Sequence, residues 1–97
     1  MENKIISVKV DDEINNKIVR YCKMFKISKI DFINNCIIQS ITNISLIYEP
    51  KYKKQHFVQV VVDNALYQTI LEVSKRYNIS TSEIIRICIK KYIKNNL

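Results

Sequence analysis

The chain repeats itself, and that constrains its fold more than any other feature. Displacing the sequence by 52 positions lays residues 5–41 on residues 57–93 without a gap. Identities fall at Val8/Val60, Val10/Val62, Asp11/Asp63, Ile18/Ile70, Lys23/Lys75, Ile27/Ile79, Ser28/Ser80, Ile33/Ile85, Cys36/Cys88, Ile37/Ile89 and Ile41/Ile93, which is 11 of 37 positions. Most other pairs exchange like for like, as in Ile14/Leu66, Phe25/Tyr77 and Asp31/Glu83. A fixed internal period means one supersecondary unit used twice. At 97 residues the chain is one domain by length. A unit of about 37 residues is near the size below which a domain needs a metal, disulfides or a partner. Each copy is therefore expected to complete the other.

Each unit opens with a period-two segment. Ile6, Val8 and Val10 share one face, and Ile5, Ser7 and Lys9 the other; Val58, Val60 and Val62 answer the first set, and Phe57, Gln59 and Val61 the second. These are short β-branched strands. The period then turns helical, with Ile14, Ile18, Tyr21 and Phe25 on one stripe and Leu66, Ile70, Val73 and Tyr77 on its counterpart. Asp11 and Asp63 stand as N-caps, and Lys26 and Asn78 stand at the exits. Asn tolerates a left-handed exit better than Lys does. Ser28-x-x-Asp31 and Ser80-x-x-Glu83 then have capping-box spacing and open a second helix. Its apolar face is read as Ile30, Ile33, Ile37, Ile41 and Ile44 in the first copy. In the second it is Ile85, Ile89 and Ile93, widened by Ile84, Cys88 and Tyr92. Residues 42–56 hold the only proline, Pro50, and the basic cluster Lys51, Lys53 and Lys54. The first part of this stretch can continue the helix and the rest reads as a linker. About 15 extended residues reach roughly 50 Å, ample to join the copies. The expected fold is mostly α with a short two-stranded antiparallel β-ribbon above four helices, in the order β-α-α-linker-β-α-α. The first repeat spans residues 4–47, the linker 48–55 and the second repeat 56–97, the two repeats forming one intertwined domain.

Composition removes several classes of function. Glycine is absent, so no glycine-built phosphate cradle exists. The single histidine, His56, argues against a His-pair metal site and against His-based catalysis. No nucleophile–base pair, metal cluster or carboxylate pair stands out, and Asp11 and Asp12 are explained by capping, so no enzyme, metal or cofactor is expected. No apolar run approaches the length of a membrane span, and residues 1–10 lack a signal-peptide core. Three cysteines without an export signal fit reduced thiols in a cytoplasm. Cys36 and Cys88 occupy equivalent helix positions and read as small core residues rather than a redox pair. Lys and Arg exceed Asp and Glu by 16 to 9, a net charge of +7 with pI about 9.4. That surplus favours an anionic partner, nucleic acid or a membrane surface.

The segments Ile5-Ile6-Ser7-Val8-Lys9-Val10-Asp11-Asp12 and Phe57-Val58-Gln59-Val60-Val61-Val62-Asp63-Asn64, each followed by two helices joined at a short turn ending in Ser, resemble the ribbon-helix-helix (MetJ/Arc) superfamily. The resemblance covers nearly the whole chain outside the linker. It is to the tandem, single-chain form, similar in size and Ile/Lys/Asn-rich character to small transcription regulators of archaeal viruses. It implies a pseudo-dimer that binds double-stranded DNA, with the ribbon in the major groove and its outward side chains on base edges. The implied readers are Ile5, Ser7 and Lys9 from the first copy and Phe57, Gln59 and Val61 from the second. Lys9 can donate to guanine, Gln59 can pair with adenine, Ser7 can bond either way and Val61 can touch a thymine methyl. Ile5 and Phe57 depart from the polar residues usual at that position; they pack on sugars or methyls, or cover the ribbon's end. By pattern alone the six are one solvent-facing side of a sheet.

The second implied contact is phosphate held where the second helix of each copy begins. Unpaired amides and the positive end of the helix dipole attract anions there. Ser28, Lys29, Ser80, Thr81 and Ser82 are the residues concerned, with Lys4, Lys53 and Lys54 flanking the strands. Ser28 and Ser80 would also cap any helix. Because Ser7/Gln59 and Lys9/Val61 differ, a partly asymmetric operator is expected, and pseudo-dimers can self-associate along longer sites. Two alternatives remain open at this point: an antitoxin-like module that neutralises a protein, and a non-specific architectural DNA-binding protein.

Overall fold

The computed structural model describes residues 3–44 and 56–96. The linker 48–55, and with it Lys53 and Lys54, lies outside the described residues, as do residues 45–47 of the first repeat. The elements run β1 (Asn3–Val10), α1 (Asp12–Phe25), α2 (Lys29–Ser40) with a 3₁₀ turn (Ile41–Asn43), β2 (His56–Asp63), α3 (Asn64–Tyr77) and α4 (Thr81–Asn96). The molecule is mostly helical, with one two-stranded antiparallel sheet and four helices in the order β-α-α-β-α-α.

Local chemistry explains where each helix starts and stops. Asp11 Oδ1 accepts from the Ile14 amide at 2.8 Å, and Asp63 Oδ1 accepts from the Leu66 amide at 2.8 Å. Each fills one of the amides that a helix start leaves without a partner. Asp12 and Glu13 add negative charge to the first turn of α1, where the helix dipole is positive. Both first helices end in a left-handed residue, Lys26 at φ 54° and Asn78 at φ 56°. Asparagine visits this region readily, whereas a lysine there costs roughly 1–2 kcal/mol. At Lys26 that cost is offset by hydrogen bonding: the amides of Lys26 and Ile27 both donate to the Cys22 carbonyl. Ser28 Oγ accepts from the Asp31 amide at 3.0 Å and Ser80 Oγ from the Glu83 amide at 3.1 Å, opening α2 and α4.

The ribbon runs in eight pairs from Asn3↔Asp63 to Val10↔His56. Ser7 faces Gln59, and these two residues are themselves 52 apart. The register is therefore symmetric under the sequence repeat: Ile5↔Val61 and Lys9↔Phe57 exchange when the copies are exchanged. Val8, Val10, Val58, Val60 and Val62 are buried under the ribbon against Ile14, Ile18, Phe32, Ile33, Ile37, Ile70, Ile84, Ile85 and Ile89. α2 packs on α4, and each lies against the strand of the other copy, α4 on β1 and α2 on β2.

Two apolar positions depart from the faces read in the sequence. Phe25 is 55% exposed and Ile30 is 41% exposed. Their helical phase is as expected, but residues 23–31 are exposed throughout. The corner between α1 and α2 thus projects beyond the core, and periodicity does not register where a helix outruns the surface it packs on. Phe25 keeps a single aromatic neighbour in its own helix, Tyr21, with ring centroids 4.5 Å apart. Cys22, Cys36 and Cys88 are free and buried.

Candidate nucleic-acid interface

Alternation along the strands divides the ribbon into two faces. One is the buried valine face. On the other, Ile5, Ser7, Lys9, Phe57 and Gln59 are exposed and Val61 is half-buried. All six expected readers thus lie on one side of one ribbon. The register arranges them in three tiers: Ile5 with Val61, Ser7 with Gln59, and Lys9 with Phe57. The first tier is apolar, the second offers hydroxyl and amide, and the third pairs a cation with an aromatic ring. Lys9 Nζ sits 4.9 Å from the Phe57 ring centroid, close enough for a cation–π attraction. Ile5 is 69% exposed and Phe57 66% exposed, so neither is buried by the ribbon's own fold.

The starts of α2 and α4 flank this face. Asn34, in the second turn of α2, donates from Nδ2 to the Val61 carbonyl at 2.7 Å. Arg86, in the second turn of α4, donates from Nε to the Lys9 carbonyl at 2.8 Å. Ser28, Lys29 and Ser80 are exposed, while Thr81 and Ser82 are half-buried. The serine caps take one first-turn amide in each helix, that of Asp31 or Glu83. The amides ahead of it have no helical carbonyl to accept them, and Asp31 and Glu83 place a carboxylate in the same turn. The two ends are not alike: Lys29 and Ile30 stand in α2 where Thr81 and Ser82 stand in α4. Lys4 is exposed at the open end of β1, with Nζ 5.8 Å from the Tyr67 ring centroid. At the other end of the ribbon His56 Nε2 meets Asp12 Oδ1, tying the start of β2 to the start of α1.

Asn34 and Arg86 are the site residues that sequence reading passed over. Both are polar residues inside isoleucine-rich stretches of the second helix, at equivalent positions of the two copies. That coincidence is the signal that would have found them. The buried thiols lie in the core beneath. Burial pushes Cys88 up to about 12, and burial with the nearby Cys88 and Cys22 raises Cys36 as well. Tyr92 is also raised, chiefly by its hydrogen bond with Tyr21, the two hydroxyls standing 3.3 Å apart.

Among the described residues no cluster of three His, Cys, Asp or Glu is placed to hold a metal ion. No described helix is long and apolar enough to cross a membrane. The chain matches no protein-family model, no curated protein and no solved structure.

Proposed function

We propose that this protein is a tandem ribbon-helix-helix pseudo-dimer that binds double-stranded DNA sequence-specifically and regulates transcription. The observation that carries the reading is the outer face of the ribbon. Ile5↔Val61, Ser7↔Gln59 and Lys9↔Phe57 stand there in three tiers, with Asn3↔Asp63 beyond them, above an inner face of buried valines, in a chain of net charge +7. A two-stranded ribbon fits the major groove, where Lys9 donates to guanine, Gln59 pairs with adenine and Val61 meets a thymine methyl. The starts of α2 and α4, with Lys29 beside one and hydroxyls beside the other, hold phosphates on either side. Phosphate contacts supply affinity and register, and the ribbon supplies the sequence preference. The test is selection of duplexes from a random library, followed by salt titration on the winner. An enriched motif that keeps its advantage over random DNA as salt rises supports the reading. Equal affinity for all duplexes leaves a coating protein.

A second reading, a module that binds and neutralises another protein, draws on the exposed apolar side chains Met24, Phe25, Ile30 and Ile38. The counterparts of Met24, Ile30 and Ile38 in the second copy are Arg76, Ser82 and Lys90, so the fold does not require these three to be apolar. This reading, which includes an antitoxin that also binds DNA, predicts co-purification of a second protein in a stoichiometric complex.

A further inference from the structure

The two edges of the ribbon are held by matched contacts of unequal chemistry. Asn34 and Arg86 are equivalent under the 52-residue offset, and so are the residues whose carbonyls they bond, Val61 and Lys9. Each contact crosses from one copy to the strand of the other. A two-stranded ribbon has no third strand to satisfy its outward peptide groups, so the helices supply the donors. At Val61 the donor is a neutral amide on a half-buried side chain, which also bonds the Ile30 carbonyl at 2.9 Å. At Lys9 it is the guanidinium of a residue only 7% exposed, whose Nη1 is paired with the Glu83 carboxylate. A charged donor makes the stronger bond. Both donors are anchored in the first turn of their own helix, Arg86 by an ion pair with Glu83 and Asn34 by a neutral bond to the Ile30 carbonyl. The Lys9 peptide is consequently held more firmly than the Val61 peptide.

We infer that Arg86 is a positioning residue that fixes the pitch of β1 at Lys9, and so sets base specificity at one end of the ribbon only. Asn34 performs the weaker counterpart at Val61. The inference rests on the DNA-binding reading above. Base recognition by paired hydrogen bonds demands a side chain placed to within about 0.5 Å, and that placement comes from the bonds holding its backbone. Lys9 leaves the strand on the side opposite Val8 and Val10, directly over Phe57. Rotation of its peptide would swing the ammonium away from the base edge. Arg86 itself is too buried to reach a phosphate.

The experiment compares Arg86→Met, Arg86→Lys and Asn34→Leu with the unaltered chain by duplex selection and salt titration. Arg86→Met and Arg86→Lys are expected to lose about tenfold in discrimination at the bases under Lys9 and Phe57, part of what a good paired contact supplies. Bases under Ile5 and Val61 keep their preference. Asn34→Leu shows the reverse pattern with a smaller loss. The salt dependence is unchanged in all three, and in a Lys9→Ala background Arg86→Lys has no further effect. Equal losses at both ends overturn the inference in favour of a merely structural role, and a salt slope lower by about 0.9 overturns it in favour of a direct phosphate contact. Should Arg86→Met not fold, Arg86→Lys, which keeps the charge and loses the Nε donor, decides. Selection by the unaltered chain with the same preference in the Arg86 variants overturns the positioning role alone. No selection by the unaltered chain overturns it together with the DNA reading.

Discussion

Phe32 and Phe25 are one residue type in two environments seven positions apart, and replacing each with alanine tests where the core ends. Phe32 is fully buried, with its ring centroid 4.6 Å from that of Tyr21 and 5.8 Å from that of Tyr92 in an edge-on approach. Truncating a buried phenylalanine costs about 3–5 kcal/mol, combining lost transfer energy with the cavity left behind. Both aromatic partners lose their contact as well, so the upper half of that range is expected. Phe25 is more than half exposed and keeps one ring contact, at 4.5 Å from Tyr21. Its truncation forfeits a single aromatic pair, about 0.5–1.5 kcal/mol. For a domain of this size the melting temperature falls by about 4 °C or more per kcal/mol. Phe32→Ala should thus lower it by about 15 °C or more and Phe25→Ala by only a few degrees. Urea unfolding at fixed pH gives the same comparison through the midpoint, with the slope unchanged if both states keep their exposed area. Equal losses in the two variants, or a loss below about 1.5 kcal/mol for Phe32→Ala, would refute the placement of the α1–α2 corner outside the core.

Further outcomes follow from the caps, the thiols and the ribbon. Asp63→Ala removes the acceptor for the Leu66 amide and should cost about 1 kcal/mol by thermal unfolding, while Asp63→Asn should cost less. Cys88 is held protonated in the fold at pH values where the unfolded chain ionises. The thiol's contribution to stability is complete below pH 9.0 and is lost as pH climbs from 9.0 to about 12. Urea midpoints should therefore fall across that interval, and Cys88→Ala should flatten the decline. A thiol reagent at neutral pH should label Cys36 and Cys88 only as fast as the chain opens, and rapid labelling of the native protein would contradict their burial. In the DNA-binding reading, Gln59→Ala should cost about 1–3 kcal/mol at one base position. Lys29→Ala should lower the salt slope by about 0.9 without altering the selected motif.

The features legible in the sequence are those decided within a few residues. The valine alternation, the aspartate and serine caps and the helix stripes all depend on spacings of two to four. The 52-residue offset added a long-range constraint, and the Ser7↔Gln59 register agrees with it. The six outward positions followed from strand parity, which leaves each residue only two faces. Contacts between copies were not legible. Asn34→Val61 and Arg86→Lys9 span separations of 27 and 77 residues, and no local pattern says which carbonyl a polar helix residue will meet. Lys26 shows a related gap: its left-handed conformation is imposed by the amides converging on the Cys22 carbonyl rather than by any preference of lysine. Phe25 and Ile30 have the phase of core residues and lack only a neighbour, which is a property of the assembled molecule.

Pairing β1 with β2 inside one chain has a consequence for dosage. When two separate chains must meet before a ribbon exists, the active fraction falls steeply on dilution, because assembly depends on the square of the concentration. Here the second strand belongs to the same chain as the first, so their pairing is intramolecular and does not weaken on dilution. The ribbon therefore exists undiminished at a few copies per cell. Occupancy of any target should rise hyperbolically from the first molecule synthesised, with no threshold from strand assembly.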